Sequence, residues 1–497
     1  MNILYSALAS RALDAPGDSL LESAEGQLDA ASLLQRLESA CRWLKAHSPT
    51  TVALLADNSI DWVIADLAAQ FAGVRLVPLP PFFSSGQLAH SLRAAAVDLL
   101  LVEPELIPCV PGNAGTGERV ADLGSLAAFR YPCQRQASMP RDTARITFTS
   151  GTTGTPKGVC LSTTQCLAVA RALADTVEIR RPRHLCLLPL STLLENLGGV
   201  YMPLLANGSV VLRTRAELGM SGSSGLHEAR LLEAIDSVSP QTLILTPQLL
   251  LCLEAAAAAG WNPPASLRFV AVGGGRVDPA VIQRARDQGL PVYEGYGLSE
   301  SASVVSLNVP GADRVGSTGR VLPHVRVRVR ENRVLVSGNA FLGYLDQPGS
   351  WHRDEVDTGD LGSIDAEGFL TITGRSRNVM ISSFGRNISP EWVEAELLAS
   401  GSILQAVLIG DQRPWCSALL WPAGGLNVTA AINATIDRVN AGLPDYARVR
   451  QWHLLDEPLS IGNGLLTANG RPRRDAIARH YAQEIDWIYR KQQDKAS

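Results

Sequence analysis

Short apolar runs alternate with stretches of helical spacing along the first part of the chain. The apolar run at 51–56 is followed by a polar turn, by a stretch of helical period at 60–72, and by a second apolar run at 74–79. The rhythm continues with the apolar runs 185–190, 210–212, 243–245, 269–272 and 291–293. Short apolar strands separated by helices are typical of parallel sheets that helices cover on both faces. The pattern therefore predicts an α/β fold with mainly parallel sheets.

The pattern changes after residue 324. Between 325 and 337 apolar and polar residues alternate, which predicts antiparallel strands or a small barrel. The segment 374–378 is polar and has no period, and a helix-like segment follows at 390–398. We interpret the polar segment as a linker. The chain is then predicted to divide into a large N-terminal domain, 1–375, and a small C-terminal domain, 376–497.

Composition narrows the class of protein only slightly. The 497 residues are 46% apolar and 19% charged, as in an ordinary globular protein of two or more domains. The net charge of −4 gives no electrostatic reason to expect nucleic acid or an anionic membrane as a partner. The eight cysteines form no CxxC pair and no zinc-ligand spacing with histidine. This spacing predicts reduced thiols, with neither a disulfide framework nor a zinc site.

The sequence also predicts a cytoplasmic protein. Its start has no basic segment followed by a long apolar core, so no signal peptide is predicted. The most apolar stretch, 242–260, contains Pro247, Gln248 and Glu254. A buried strand and helix therefore describe this stretch better than a membrane span does.

One loop combines hydroxyls, glycines and a lysine directly after a predicted strand at 145–148. Its sequence is Thr149-Ser150-Gly151-Thr152-Thr153-Gly154-Thr155-Pro156-Lys157-Gly158. The N–H and O–H groups of such a loop can donate to one anion, the glycines allow close approach, and the lysine adds a positive charge. Only four of the 44 basic residues are lysines, which makes Lys157 an unusual choice in this chain. The loop predicts a polyphosphate site that differs from the Walker loop, because here the lysine follows a proline.

Three further motifs follow this loop in order. They are Tyr293-Glu294-Gly295-Tyr296-Gly297-Leu298-Ser299-Glu300, Asp357-Thr358-Gly359-Asp360 and Gly374-Arg375. Together with the loop, the set resembles the AMP-forming adenylating superfamily of acyl-CoA synthetases, carrier-linked adenylation domains and luciferases, and is most similar to long-chain acyl-CoA synthetases. The likeness extends over essentially the whole chain. It implies a large domain of helix-covered sheets with a small β-barrel-like part, followed by a small, mobile α+β domain.

The resemblance implies that a carboxylate attacks the α-phosphate of ATP, and that a thiol then attacks the resulting acyl-AMP. It implies that the loop holds the outer phosphates, that Tyr296 stacks on adenine, and that Mg²⁺ lies at Glu300 and Thr152. Lys157, Ser299, Glu300 and Arg471 are implied as catalytic residues. The implied ATP-binding residues are Thr149, Ser150, Gly151, Thr152, Thr153, Gly154, Thr155, Lys157, Glu294, Gly295, Tyr296, Gly297, Leu298, Ser299, Asp360 and Arg375.

The resemblance also implies where the acid and the thiol bind. The implied acid pocket consists of Thr192, Asn196, Gly273, Gly274, Gly275 and Val304, with Val305 and Leu307 beside it in an apolar channel. Residues 191–199 contain no aspartate that could pair with an α-amino group, which favours an apolar acid over an amino acid. Arg377 is the implied hinge between the two domains, and Gly385 lies in the implied thiol tunnel.

Two positions depart from the family pattern. Arg471 stands where the family has its adenylation lysine. A guanidinium can bridge a phosphate and a carboxylate, so a working substitute is the first interpretation and a slow or absent adenylation step is the second. Thr192 stands where many relatives carry histidine or an aromatic residue that gates the acyl pocket, which leaves the acid open.

The predicted function is ATP- and Mg²⁺-dependent ligation of a medium- or long-chain fatty acid to coenzyme A. Two alternatives keep the same first step. One is a stand-alone ligase that loads the phosphopantetheine of an acyl carrier protein, and the other is an aryl-acid ligase. A nucleotide-binding protein without activity is a third alternative, motivated by Arg471.

Overall fold

The structure is a computed structural model. It describes residues 2–110, 117–131, 136–149, 156–221, 225–376, 378–381, 387–424, 429–467 and 470–496.

The first sheet has eight strands, of which the central four are parallel. Its strands, in spatial order, are Gly343–Tyr344, Lys157–Leu161, Arg145–Thr149, Arg75–Pro78, Thr51–Leu55, Leu99–Val102, Leu126–Arg130 and Glu118–Leu123. The antiparallel pairs lie at the two edges. This arrangement places the strand that precedes the Thr149 loop next to the parallel centre of the sheet.

The second sheet has nine strands and the same mixed character, with five consecutive parallel pairings. Its strands, in spatial order, are Arg320–Val321, Ser303–Leu307, Val292–Leu298, Phe269–Val272, Thr242–Leu245, Arg183–Cys186, Ser209–Leu212, Ser19–Ser23 and Gly26–Asp29. The apolar run 185–190 is strand only up to Cys186, because Pro189 cannot donate to a ladder and the N–H of Leu190 bonds to the side chain of Asn58.

Helices cover both sheets, and their boundaries follow capping chemistry. The helix Ile60–Ala72 begins after Ser59, whose side chain accepts from the Trp62 N–H, and ends at Gly73 in the left-handed conformation. The helices of the described residues are Ile3–Asp14, Ala30–His47, Ile60–Ala72, Ser85–Ala94, Thr163–Val177, Leu193–Glu195, Met202–Leu205, Glu228–Val238, Pro247–Ala258, Pro279–Asp287, Pro390–Leu398, Thr429–Gly442, Arg474–His480 and Ala482–Ala496. Short 3₁₀ turns occupy Pro104–Cys109, Ser299–Ser301, Pro348–Ser350 and Asp445–Ala447, and a π-helical turn occupies Asn196–Tyr201.

The apolar strands are buried on both faces, as parallel strands require. Val52 and Leu54 pack into the core shared by the two sheets, whereas Ala53 and Leu55 pack against the helix Ser85–Ala94 on the opposite face. A further core lies between the second sheet and the helices Glu228–Val238, Pro247–Ala258 and Pro279–Asp287. Helices and sheets therefore alternate in layers.

A third, antiparallel sheet forms where the alternating pattern predicted one. Its strands are Arg326–Arg330, Arg333–Ser337, Glu355–Ile364 and Leu370–Arg375. The prediction of a linker at 374–378 is wrong for its first two residues. Gly374 and Arg375 end the last of these strands, because Arg375 pairs in register with Asp360.

The residues after 387 build their own cores around a three-stranded sheet. Its strands are Ile403–Ile409, Cys416–Pro422 and Val449–Leu454, and a short pair, Met380–Ile381 and Asn387–Ile388, precedes them. The predicted helix at 390–398 is present as Pro390–Leu398. Across the described part of the chain, no helix combines the length and the apolar character that crossing a bilayer demands.

Candidate active site

The residues on either side of the predicted phosphate loop belong to two antiparallel strands of the first sheet. Thr149 ends one strand and Lys157 begins the next, and the two residues pair directly in the ladder. The side chain of Lys157 is exposed, and the ring of His90 is 3.0 Å from the carbonyl oxygen of Pro156. The loop residues between them lie outside the described residues, namely Ser150, Gly151, Thr152, Thr153, Gly154 and Thr155.

Tyr344 joins Lys157 to Glu300. The Tyr344 hydroxyl donates a hydrogen bond to Glu300 Oε1 at 2.8 Å, and Lys157 Nζ is 5.4 Å from the centroid of the Tyr344 ring. Glu300 itself lies in the 3₁₀ turn Ser299–Ser301. The carboxylate predicted to ligate a metal ion and the lysine of the phosphate loop therefore meet at one aromatic ring.

Sequence reasoning missed Tyr344, and only a weak signal could have indicated it. It stands beside Gly343 in a strand of two residues that pairs with Lys157–Leu161. Gly343 has φ +140°, and a Cβ there would lie 2.5 Å from the indole of Trp351. A glycine next to an aromatic residue was thus the local sign, in the sequence, that two segments of the chain pass close to each other here.

A second group forms around Asp360, which is 2% exposed. The Tyr296 hydroxyl donates to Asp360 Oδ2 at 2.6 Å, and Arg375 Nε forms an ion pair with Asp360 Oδ1 at 2.9 Å. Burial and the Asp360 carboxylate raise the pKa of Tyr296, so its hydroxyl stays protonated. The structure therefore brings together the three residues predicted to surround adenosine.

The strand Val292–Leu298 carries Glu294, Gly295, Tyr296 and Gly297. Glu294 is almost fully buried, and burial raises its pKa to about 8, against the opposing effects of Arg276 and of the Val277 N–H. Side chains at the two glycines would collide with the neighbouring strand: a Cβ at Gly295 would lie 2.9 Å from Leu307, and one at Gly297 would overlap the Ser303 carbonyl. Leu298 ends the strand, immediately before Ser299.

Arg471 reaches the glycine run that follows the strand Phe269–Val272. Its Nη2 and Nε donate to the carbonyl oxygen of Gly274 at 2.6 and 3.2 Å. Gly274 has φ +82°, and Gly273 lies close to the Gly295 carbonyl. Because Val272 pairs with Glu294, this contact lies at the carboxyl ends of parallel strands, the edge of a sheet where α/β proteins bind ligands.

The predicted acid pocket is only partly assembled. Thr192, half-buried, donates from Oγ1 to the Pro189 carbonyl at 2.7 Å, and a Cβ at Gly273 would lie 3.9 Å from Leu194. The side chain of Asn196 is fully buried and donates to Asp66 at 3.0 Å. Gly275 is exposed and lies beside Pro247.

The apolar channel predicted from Val304, Val305 and Leu307 needs a correction. Val304 and Leu307 pack into the core shared by the two large sheets. Val305 packs against the third sheet instead, because the pairing register shifts between Val304 and Ser306 and leaves Val305 unpaired. The predicted hinge, Arg377, and the predicted tunnel residue, Gly385, lie outside the described residues.

The structure thus gathers the residues predicted to bind a nucleotide into two groups, Lys157–Tyr344–Glu300 and Tyr296–Asp360–Arg375. The AMP-binding enzyme family matches residues 10–344, and the C-terminal domain of AMP-binding enzymes matches residues 377–493. The chain belongs to the AMP-binding enzyme family. The predicted family, α/β fold and enzymatic character are confirmed.

Individual relatives differ in the acids that they are named for. A long-chain-fatty-acid–CoA ligase, FadD15 of Mycobacterium bovis, is 25% identical over 89% of this chain and 88% of its own. The anthranilate CoA ligase AuaEII, solved with anthranoyl-AMP, superimposes with a TM-score of 0.80 at 19% identity over 97% of both chains. The o-succinylbenzoate CoA synthetase of Bacillus subtilis, solved with ATP and magnesium, has a TM-score of 0.74 at 23% identity over 94% of this chain and 98% of its own.

Proposed function

We propose that the protein is an acid–CoA ligase that works in two steps. In the first step a carboxylate oxygen attacks the α-phosphorus of ATP, and pyrophosphate leaves. In the second step the thiol of coenzyme A attacks the acyl carbon, AMP leaves with the bonding electron pair, and the thiol proton is released to water. The contact of Arg471 with Gly274, beside the Tyr296–Asp360–Arg375 group, is the observation that carries the proposal.

The nucleotide is proposed to lie between the predicted phosphate loop and the Asp360 group. Lys157 and the loop 149–155 hold the phosphates, whereas Asp360, Arg375 and Tyr296 surround the adenosine. Glu300 and Thr152 offer a carboxylate and a hydroxyl, which are the oxygen ligands that Mg²⁺ prefers. When bound, the ion neutralises charge on the phosphates. Tyr344 orients the Glu300 carboxylate through its 2.8 Å hydrogen bond.

Arg471 is proposed to act in the first step. Its guanidinium already reaches across to the Gly274 carbonyl, so a short movement brings it to a phosphate and a carboxylate at the same edge of the sheet. A guanidinium binds both groups with paired hydrogen bonds, and its charge offsets the charge that develops in the transition state. We therefore favour a working substitute for the usual lysine.

We propose a medium- or long-chain fatty acid as the substrate. The similarity to FadD15 over most of both chains supports this choice, as does the lack of an aspartate at 191–199. An aryl acid is the second candidate, favoured by the fold shared with the anthranilate and o-succinylbenzoate enzymes. Thr192, Asn196, Val304 and the three glycines 273–275 remain the proposed lining of the pocket.

The division at 375/376, the hinge at Arg377 and the tunnel at Gly385 also stay proposals. Coenzyme A is the proposed acceptor and an acyl carrier protein the alternative, because both present the same pantetheine thiol. A cytoplasmic location stays a prediction that depends on the scattered cysteines.

The test is to trap the acyl-adenylate. Purified protein, ATP and Mg²⁺ are incubated with hydroxylamine and with fatty acids of graded length, benzoate or anthranilate, and hydroxamate is measured. We expect hydroxamate with fatty acids, whereas a preference for aryl acids selects the second candidate and no product with any acid refutes the proposal. Replacing hydroxylamine with coenzyme A or a phosphopantetheinylated carrier protein then identifies the acceptor.

A further inference from the structure

Three buried side chains of different chemistry meet beneath the segment that carries Thr192. His184 and Cys186 alternate along the strand Arg183–Cys186 and therefore point to the same face. Glu195 ends the short helix Leu193–Glu195 that follows. The three residues are 1%, 0% and 0% exposed. None of them has a place in the proposed reaction.

The potential ligand atoms of these residues converge. His184 Nε2, Cys186 Sγ and the Glu195 carboxylate lie within 4.8 Å of one another, and His184 Nε2 is 3.0 Å from Glu195 Oε1. A tetrahedral zinc ion holds nitrogen, oxygen and sulfur at about 2.0–2.3 Å, which separates its ligand atoms by roughly 3.3–3.8 Å. Small side-chain adjustments thus suffice to place an ion between them.

The surroundings orient these groups. The other ring nitrogen of His184, Nδ1, is 2.9 Å from Thr242 Oγ1, a bond of the kind that fixes the ring of a metal-binding histidine. Gly199 lets the backbone pass close by, because a Cβ there would lie 2.7 Å from His184 Nε2. The Cys186 thiol donates a weak hydrogen bond to the Gly199 carbonyl oxygen, with Sγ and the oxygen 3.8 Å apart.

The second carboxylate oxygen of Glu195, Oε2, receives few hydrogen bonds. Apart from the Cys186 thiol, which lies within hydrogen-bonding reach of the carboxylate, Glu195 Oε2 is buried without a hydrogen-bond partner among the described residues. A buried carboxylate oxygen without a partner is costly, and native structures satisfy nearly all such groups with protein, water or an ion. This observation is independent of the ligand spacing, and a bound cation is a group that would satisfy the carboxylate.

We propose that His184, Cys186 and Glu195 bind one zinc ion. Binding forms a bond from the metal to Sγ and releases the thiol proton to water. A thiolate, a carboxylate and a neutral imidazole together carry two negative charges, which neutralise a divalent ion in the interior. The mixture of sulfur, nitrogen and oxygen suits Zn²⁺, whereas Mg²⁺ and Ca²⁺ prefer oxygen alone.

The ion is structural, because all three ligands are buried. The ion links the second sheet to the segment 192–196. It thereby fixes the position of Thr192 at the edge of the proposed acid pocket. The spacing of the cysteines predicted no zinc site, because Cys186 has no second cysteine near it in the sequence. The third proposed ligand is instead a carboxylate, that of Glu195. The proposal goes beyond the ligase activity, and its test needs no turnover.

The experiment measures metal directly on the full chain. Protein purified without chelator from zinc-supplemented medium is expected to carry about one zinc ion per chain, as elemental mass spectrometry would show. Replacement by Co²⁺ is expected to produce a thiolate-to-cobalt charge-transfer absorption. The Cys186→Ala variant is expected to bind zinc about tenfold more weakly or worse, whereas Cys416→Ala, a buried cysteine of the C-terminal core, is expected to retain it.

Wild-type protein with only background zinc, and no charge-transfer band with Co²⁺, would overturn the proposal and leave a hydrogen-bonded triad. Equal zinc retention by Cys186→Ala would also overturn it. The wild-type measurements decide the question even if the variant does not fold.

Discussion

At the scale of single residues, the site depends on side chains that orient other side chains. Tyr344 holds Glu300 by a hydrogen bond and lies under the Lys157 ammonium. Asp360 accepts a hydrogen bond from Tyr296 and forms an ion pair with Arg375. Because an ionised carboxylate accepts hydrogen bonds but donates none, these partners decide which way its remaining lone pairs point.

The Tyr344→Phe variant tests this orienting role. It keeps the ring and loses the hydroxyl that donates to Glu300, a bond of about 0.5–1.5 kcal/mol. We expect the apparent KM for MgATP and the Mg²⁺ concentration at half-maximal rate to rise by about three- to tenfold. Thioester formation from preformed acyl-AMP should not change. Equal losses in the two half-reactions would contradict the assignment, and Tyr5→Phe, an exposed tyrosine, is the control.

Glu294 makes stability depend on pH. Its pKa is about 8 in the folded protein, against 4.5 for the ordinary group, so the folded state binds a proton that the unfolded state has lost between these values. The free energy of unfolding should therefore fall as pH rises from about 5 to about 8, by up to about 1.4 kcal/mol per pH unit from this group. Urea denaturation of wild type and Glu294→Gln at pH 6 and pH 8 measures the difference. The same pH slope in both proteins would refute the assignment.

At the scale of elements, the side chain of Asp66 connects its own helix to one strand and to the π-helical turn through hydrogen bonds. This residue of the helix Ile60–Ala72 is 1% exposed and accepts from Arg145 in the strand that leads to the phosphate loop. It also accepts from Asn196 and Tyr201 in the π-helical turn at 3.0 and 2.9 Å. The strand before the predicted phosphate loop and the segment at the acid pocket are thus positioned by one buried carboxylate.

The Asp66→Asn variant should lose much of the stability of the N-terminal part. Removing the carboxylate leaves the buried Arg145 guanidinium without a counter-charge, which costs about 3–5 kcal/mol. Asp175→Asn is the matched control, because its pair with Arg171 lies on an exposed helix surface and is worth less than about 1 kcal/mol. Chemical denaturation compares the two, and similar losses would argue against the structural role of Asp66.

At the scale of the whole molecule, residues near the C-terminus contact the large N-terminal part. Besides Arg471 on Gly274, the carbonyl oxygen of Ala399 accepts from Arg284 of the large part at 3.0 Å. Arg284 is also paired with Glu254 at 2.8 Å. These polar contacts, with Ala399 packed into the core of the second sheet, contribute to the arrangement that we propose for the adenylation step.

Substitution of Arg471 should separate the two half-reactions. Arg471→Ala is expected to slow adenylation by about a hundredfold or more, because a charged donor to the transition state is lost. Transfer from preformed acyl-AMP to coenzyme A should change far less. Arg450→Ala, an exposed arginine of the same part of the chain, is the control. Comparable losses in both steps would refute this division of labour.

The Arg471→Lys variant tests whether arginine at this position can replace the lysine that the family usually has there. We expect adenylation within about tenfold of wild type, since a lysine keeps the charge but loses the paired donors. A large gain in rate would instead show that the natural arginine limits the reaction.

Many strands of this protein, and the chemistry of its candidate site, could be predicted from the sequence alone. The apolar runs at 51–56 and 269–272 predicted the strands Thr51–Leu55 and Phe269–Val272. The hydroxyls and glycines at 149–158 predict a phosphate loop by composition alone, which stays a prediction. Such patterns are local, and local patterns specify elements and the chemistry that they carry.

The tertiary structure decided which distant residues meet. Tyr344 reaches Glu300 because strand pairing places Gly343–Tyr344 beside Lys157–Leu161, and Val305 packs apart from Val304 because the pairing register shifts between Val304 and Ser306. Glu195 joins His184 and Cys186 only after the chain turns back over the second sheet. No sequence spacing contains these contacts, because they arise from the order of strands in the sheets and from the packing of helices against them.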